Sequence, residues 1–317
     1  MSNQTVSTLG GPLPAPPHDK DLNSAGTGKL GTAARRNYRR GRRRPSIGKA
    51  ISLVLLTLGA IAMIAPFLWM FTTSLRSPGN AYDLPPLWFP NEFQWENYPD
   101  AVNGPVPILR NMFNSAVIAI AVSIGMIITA PMAGFAFARL RFPGRNIIFI
   151  LLLASLMVPP QVTIIPLFLM MSEWGLINNP LSLILPGITG ALGVFLMRQF
   201  FLSLPEEMLE AARLDGANAW TVYRLIALPL AKNGISTLGI ITFLGSWNAY
   251  FAPSIFLNDT STATLPLALV LLLGPYGAGN LSLVMAATVI AILPALIVFI
   301  IAQRWIIASL TQSGVKG

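Results

Sequence analysis

Six runs of roughly twenty apolar residues, at 51–71, 112–137, 147–171, 181–201, 234–256 and 283–302, constrain this chain more than any other feature. A helix needs about 20 such residues to cross the hydrocarbon core of a bilayer. In lipid a crossing segment must also satisfy its own backbone hydrogen bonds, so each run is expected to be helical. The predicted fold is therefore all-α, a polytopic membrane protein with six transmembrane helices. The composition agrees: 54% of residues are hydrophobic, 10% are charged and the mean hydropathy is +0.63. A soluble domain would carry about 25% charged residues. The third run contains Pro159, Pro160 and Pro166. Prolines remove backbone donors, so this helix is predicted to kink or break, its freed carbonyls finding partners in protein or at a wet cavity.

Residues 1–46 are rich in Gly, Pro, Ser, Ala and Arg, lack an apolar period and are predicted to be a disordered basic tail. The first run follows without a small-residue cleavage site, which favours a retained first helix over a removed signal peptide. Much of the net charge of +9 lies at residues 35–44, just before that helix. A basic block there reads as an anchor beside anionic lipid headgroups rather than a nucleic-acid site. With a cytoplasmic N-terminus, every Lys and Arg except Arg76 and Arg110 falls on the inner side. Both termini are therefore expected in the cytoplasm, as is the loop at 203–232. The first outer loop, about 72–111, carries Trp88, Phe89, Trp95 and Tyr98, placed at headgroup level as an interfacial cap in preference to direct ligand contact.

Signatures of catalysis are missing from the sequence. It has no GxSxG, no HExxH and no phosphate loop, so ATP binding and enzyme activity are not expected. Cysteine is absent, and the single histidine, His18, lies in the polar tail, so no metal site is expected. No cofactor is expected either. The six runs carry no carboxylate, whereas ion-coupled carriers usually bury one at membrane depth. Their polar side chains are neutral: Asn114, Ser123, Thr129, Ser155, Gln161, Thr163, Ser236, Thr242, Asn248 and Thr288. Most are expected to bridge helices, others to line a path for a neutral polyhydroxyl solute. The sequence does not assign the substrate-binding residues.

In a chain so poor in charge, the segment PEEMLEAARLDGANAWTVYRLIALP, 205–229, holds four acids and two arginines. Ser203 and Glu206 fit a capping box at the start of a helix, with Glu206, Glu207 and Glu210 near its positive end. Gly216 is predicted to end that helix in a left-handed conformation. Asn218 is predicted to start a second helix that stops before Pro229. Ala211, Ala212 and Gly216 are small and would let another surface approach closely. An amphipathic hairpin resting on lipid fits poorly, because four acids would face an anionic leaflet. A protein partner fits better.

The segment EAARLDG (210–216), followed by nine residues and then IALP (226–229), resembles the EAA motif of ABC-importer permeases. GFAFARLRFPGR, MVPPQVTIIPLF, LINNPLSLILP and GSWNAYFAP are similar to the carbohydrate-uptake branch of that family, the maltose type, and RWIIASLTQSGVKG to the end of its shorter permease. The likeness covers about 50–317 and leaves out the basic extension. It implies a six-helix permease domain over 47–310, with a coupling loop at 203–232 and a cytoplasmic C-terminal tail at 311–317. It also implies a permease subunit of a binding-protein-dependent importer in a bacterial or archaeal inner membrane, surrounded by membrane lipid. The implied partners are a second permease in a heterodimer, two ATPase subunits and an extracytoplasmic solute-binding protein, which the outer loop between the fifth and sixth helices would face. Glu210, Ala211, Ala212, Arg213, Asp215, Gly216, Ile226, Leu228 and Pro229 would couple to an ATPase subunit. The tail residues Thr311, Gln312, Ser313, Gly314, Val315, Lys316 and Gly317 would touch the ATPase pair. In this branch the membrane sugar site belongs mainly to the larger partner. The expected solute is a sugar, the alternatives being another polar solute such as glycerol phosphate or, from a different class, a secondary carrier. A membrane-anchored scaffold would not need a cytoplasmic motif of fixed spacing.

Overall fold

The computed structural model describes residues 47–80, 89–90, 92–274 and 279–313. Within these, the side chains of residues 47, 50, 80, 302 and 304–313 are not described. The basic tail (1–46) and Gly314, Val315, Lys316 and Gly317 lie outside the described residues, as does Trp88 of the outer loop. The chain forms two compact units, residues 1–61 and 62–317. Of the first, the described part is a single helical run with exposed apolar side chains.

All regular structure among the described residues is helical. Helix α1 is Ile47–Ser74, and a single 3-10 turn covers Pro78–Asn80. There follow α2 (Asn97–Asn103), α3 (Ile108–Arg139), α4 (Arg145–Ser155) and α5 (Pro160–Glu173). Next come α6 (Leu181–Gly187), α7 (Ala191–Leu202), α8 (Glu206–Leu214) and α9 (Ala219–Val222). A π-helical turn, Tyr223–Ala227, leads into α10 (Leu228–Leu230) and α11 (Lys232–Trp247). Short helices α12 (Pro253–Phe256) and α13 (Leu265–Leu273) precede α14 (Leu281–Ser313). Four spans are long and apolar enough to cross a membrane, and two more arise if each sharply bent pair counts as one. The six sequence runs thus reappear, two of them bent.

The third run breaks where its prolines predict. α4 and α5 meet at 98°, with Pro159 extended and Pro160 opening the new helix, while Pro166 is carried inside it. The fifth run departs from expectation. Its helix ends at Trp247 rather than near 256, because Asn248 turns its side-chain amide back onto the Leu244 carbonyl and Pro253 starts a separate turn. The apolar length is recovered on the other side, where residues 219–230 join α11 through a 74° bend.

Helix α3 is the central element, packed against α7, α11, α6 and α13. The α3–α7 seam is close because it is lined by glycine. A Cβ on Gly134 would lie 2.7 Å from the Met197 Cβ and 2.8 Å from the Arg198 amide nitrogen, and one on Gly193 would lie 2.7 Å from the Met126 sulfur. With no hydrophobic drive between helices in lipid, such backbone approach is how they hold together. One buried cluster gathers around the C-terminal half of α3 with Phe135, Met197, Phe201, Leu209, Val222 and Tyr223. A second lies around its N-terminal half, with Ile108, Ala119, Trp247, Leu265 and Ala287.

Some neutral polar side chains serve broken backbone, and more of them bond within their own helices. Thr129 donates at 2.6 Å to the carbonyl of Ile188, which the α6–α7 break leaves free. Asn111 donates to the carbonyls of Thr260 and Ala263, and Asn114 to those of Ser261 and Ala263, tying the loop before α13 to α3. In the same loop the Ser261 amide donates to Asp259 at 2.8 Å. That bond, helped by the charge of Arg110, holds the Asp259 carboxyl below the usual aspartate range. Ser123, Ser155, Thr163, Asn248 and Thr288, expected to bridge or to line a path, instead bond carbonyls three or four residues back in their own helices. In the loop after α1, Phe89 and Trp95 are exposed, and the Tyr98 hydroxyl pairs with Ser74. Arg76 is instead drawn inward to 2% exposure, where its carbonyl accepts from Asn97 and its guanidinium has no hydrogen-bond partner among the described residues.

The tight seam gives a direct expectation. Gly134→Val should destabilise the protein by about 1–3 kcal/mol through overpacking, read as a lower melting temperature in detergent. Unchanged melting would mean that α3 and α7 are not held by close backbone contact.

Candidate functional site

The charged segment 203–232 folds as a bent helical pair whose entry is fixed by an arginine from another helix. The last carbonyls of α7 have no partner within the helix. Arg139, closing α3, supplies one. Its Nε and Nη2 donate to the Phe201 carbonyl at 3.0 and 2.8 Å, and Nη2 also reaches the Leu204 carbonyl at 2.7 Å. A cation at a helix C-terminus also complements the helix dipole. The side chain is only 10% exposed. Arg198 of α7 returns the grip, donating to the Phe137 carbonyl at 3.3 Å with its guanidinium 4.2 Å above the Phe149 ring.

The expected capping box does not form. Ser203 remains in the last turn of α7, with helical backbone angles and its hydroxyl bonded to the Phe200 carbonyl. Leu204 precedes a proline and is pushed away from helical geometry, so α8 starts later, with Pro205 at its N-cap. Glu206 is then the first helical residue rather than the third, and cannot reach back. Its carboxylate lies 3.8 Å from Arg139, a pair whose acid is 67% exposed and so contributes little. Glu206 and Glu207 still occupy the first turn, where the dipole favours acids.

Leu209, 1% exposed, pins α8 to Phe201, Val222, Tyr223 and Ala227. Glu210, Ala211, Arg213, Asp215 and Gly216 stay exposed, and Ala212 is half-buried. The helix closes in a Schellman motif: the Gly216 amide donates to the Arg213 carbonyl and the Ala217 amide to the Ala212 carbonyl, both at 3.0 Å. Gly216 has φ +86°, as its position predicts, and a side chain there would meet no neighbour. Beside it Leu214 is 89% exposed at the tip of the pair. Asn218 caps the next helix as expected, accepting from the Thr221 amide at 2.8 Å.

That second helix does not stop before Pro229. A π turn, in which the Leu228 amide reaches the Tyr223 carbonyl, widens the helix ahead of the proline and lets it run on to Leu230. Ile226 and Leu228 are half-buried against the core, whereas Pro229 is exposed. The structure therefore brings 210–216 together as an outward surface, while 226 and 228 pack against the buried cluster. Thr311, Gln312 and Ser313 end α14, with no side chain described. Arg139 and Leu209 were missed in the sequence. The only signals were an arginine closing the second apolar run and a leucine among acids.

A bundle of intact and broken apolar helices carrying a charged helical pair defines an integral membrane protein. Residues 130–312, which include Arg139 and the whole pair, match the family described as "Binding-protein-dependent transport system inner membrane component". The chain belongs to this family and is a multi-pass permease component of the inner membrane. It is 32% identical over 266 residues to the sn-glycerol-3-phosphate transport system permease protein UgpE of Yersinia enterocolitica, covering 82% of this chain and 95% of that one. It is 36% identical over 228 residues to the arabinooligosaccharides transport system permease protein AraQ of Bacillus subtilis, covering 72% and 81%. A crystal structure of a bacterial ABC transporter involved in the import of the acidic polysaccharide alginate shares the fold, with a TM-score of 0.71 and 22% identity over 81% of this chain and 96% of that one.

Removing the arginine should loosen the pair selectively. Arg139→Gln should cost about 1.5–3 kcal/mol, as lost charged hydrogen bonds do, and should speed amide exchange across 206–217. Glu206→Gln, which touches only the exposed ion pair, should cost no more than about 1 kcal/mol. Equal effects of the two variants would show that the carbonyl contacts do not fix the pair.

Proposed function

We propose that this chain is one of two permeases in an ABC importer for a carbohydrate, and that the helical pair at 203–232 receives an ATPase subunit. The observation that carries the reading is the pair itself. It is anchored by Leu209 and Arg139, closed by a left-handed Gly216, and presents Leu214 to the outside among charged neighbours. A buried anchor beneath an exposed, capped tip suits insertion into a protein groove. Glu210, Ala211, Ala212, Arg213, Asp215 and Gly216 form the contact face, and Ile226, Leu228 and Pro229 complete the coupling segment. Residues 311–317 contribute a second contact with the ATPase pair. The positive-inside pattern of Lys and Arg supports a cytoplasmic location for both termini and for this pair. An extracytoplasmic binding protein delivers the solute on the opposite side. Relatives named for arabinooligosaccharide transport support a sugar. Those named for glycerol 3-phosphate keep that solute as the second reading.

Gly216→Val places a side chain in a left-handed conformation at a cost of about 1–2 kcal/mol, with open space around it. The variant should insert and fold, yet copurify poorly with the ATPase and transport several-fold less per permease in the membrane. Gly216→Asn should recover much of the loss, because asparagine tolerates this conformation. Glu210→Lys should behave like Gly216→Val. Full ATPase binding and uptake by both Gly216→Val and Glu210→Lys would remove this segment from the coupling role.

A further inference from the structure

The loop that joins α3 to α4 carries a cavity of about 460 Å³, lined by Arg141, Phe142, Gly144, Arg145, Asn146 and Ile147. It sits at a membrane boundary, since α3 is one span and the bent α4–α5 pair counts as another. A turn at Pro143 and Gly144 shapes it. Gly144 has φ +77°, and the Arg145 amide returns to the Phe142 carbonyl at 3.4 Å. Phe142 packs beside Phe137, with ring centroids 5.9 Å apart. The side chain of the half-buried Arg145 is held in place, with Nη1 on the Leu140 carbonyl at 3.1 Å and Nε on Asn146 Oδ1 at 3.4 Å. Neither arginine of the cavity has a counter-charge: among the described residues the one ion pair is that of Arg139 with Glu206. Arg145 also opens α4, whose first turn holds no acid. The helix dipole opposes a cation there, so both the dipole and the two guanidiniums favour an anion. From the rim of the cavity an apolar stripe continues along α4. Ile147, Ile150 and Leu151 are exposed and share one side of the helix.

We propose that this cavity holds the phosphate of an anionic phospholipid headgroup, with the acyl chains lying along the exposed stripe of α4. Guanidiniums match phosphate oxygens in charge and geometry, and basic pockets beside membrane helices take such headgroups. A free phosphate would satisfy the arginines and leave the stripe unused. An acidic protein surface would do the same. A lipid answers both features. The site is on the membrane side that carries the helical pair, because Arg139, two residues before Arg141, grips the carbonyls at the entry to α8. A lipid bound here would brace the end of α3 from which the pair is held. The inference goes beyond the transport reading and needs only that the chain crosses a membrane.

The test uses the full-length protein with the subunits that accompany it, in nanodiscs of phosphatidylcholine to which phosphatidylglycerol is added. Leu151→Cys, in a chain that has no other cysteine, carries a fluorophore. Phosphatidylglycerol bearing a nitroxide on its acyl chain should quench it at about tenfold lower mole fraction than phosphatidylcholine labelled in the same way. Arg141→Gln should lower that preference about fivefold, whereas Arg141→Lys, which keeps the charge, should retain most of it. Lys232→Gln, which removes an exposed cation at the start of α11, should leave the preference unchanged. Equal quenching by the two lipids would overturn the site. An equal loss from Lys232→Gln would also overturn it, reducing the effect to general surface charge. Inorganic phosphate, compared with chloride at the same ionic strength, should not release the lipid. Release would assign the cavity to a soluble phosphate and overturn the lipid as its occupant.

Discussion

The hold of Arg139 on the carbonyls of Phe201 and Leu204 is the contact on which the exposed helical pair depends. α7 ends in the hydrophobic cluster, where unpaired carbonyls are costly, and the chain must leave it at a defined angle to begin α8. One guanidinium solves both problems by satisfying the open carbonyls and fixing their spacing. It can do so only because α3 and α7 are close, and they are close because Gly134 and Gly193 lack side chains. The reciprocal bond from Arg198 to the Phe137 carbonyl locks the same seam from the other helix. A movement of α3 relative to α7 would therefore be transmitted to residues 206–217 by way of a short set of direct contacts.

The same rule, that a broken helix must find partners for its backbone, accounts for three neutral polar side chains elsewhere. Thr129 serves the interruption between α6 and α7, and Asn111 and Asn114 serve the turn before α13. α3 thus carries the donors for three interruptions, at Ile188, at 260–263 and at the end of α7. Around that helix the second unit combines the long α14 with shorter, broken pieces.

Features governed by a few neighbouring residues were legible in the sequence. These include the apolar runs, the break at Pro159 and Pro160, the left-handed Gly216 and the cap at Asn218. What failed involved competition between local signals or contacts far apart in the chain. The capping box at Ser203 lost to the restriction that Pro205 places on Leu204. The expected stop before Pro229 lost to a π turn that absorbs the proline. The fifth run looked like one straight span, because apolarity continues past Trp247 and does not report that Asn248 ends the helix. Arg139 read as one more inner-side charge, since its carbonyl partners are more than sixty residues away. The outward face of 210–216 was legible as a motif, but its support by Leu209 and Ala227 was not.

The central claim is that the tip of this pair, and not its base, meets an ATPase subunit. A photo-crosslinking residue placed at Leu214, which is 89% exposed, and separately at Leu209, which is 1% exposed, measures this in the assembled transporter. A crosslink to the ATPase is expected from position 214 and is expected to be lost from position 209. Crosslinking from neither position, or only to lipid from position 214, would contradict it.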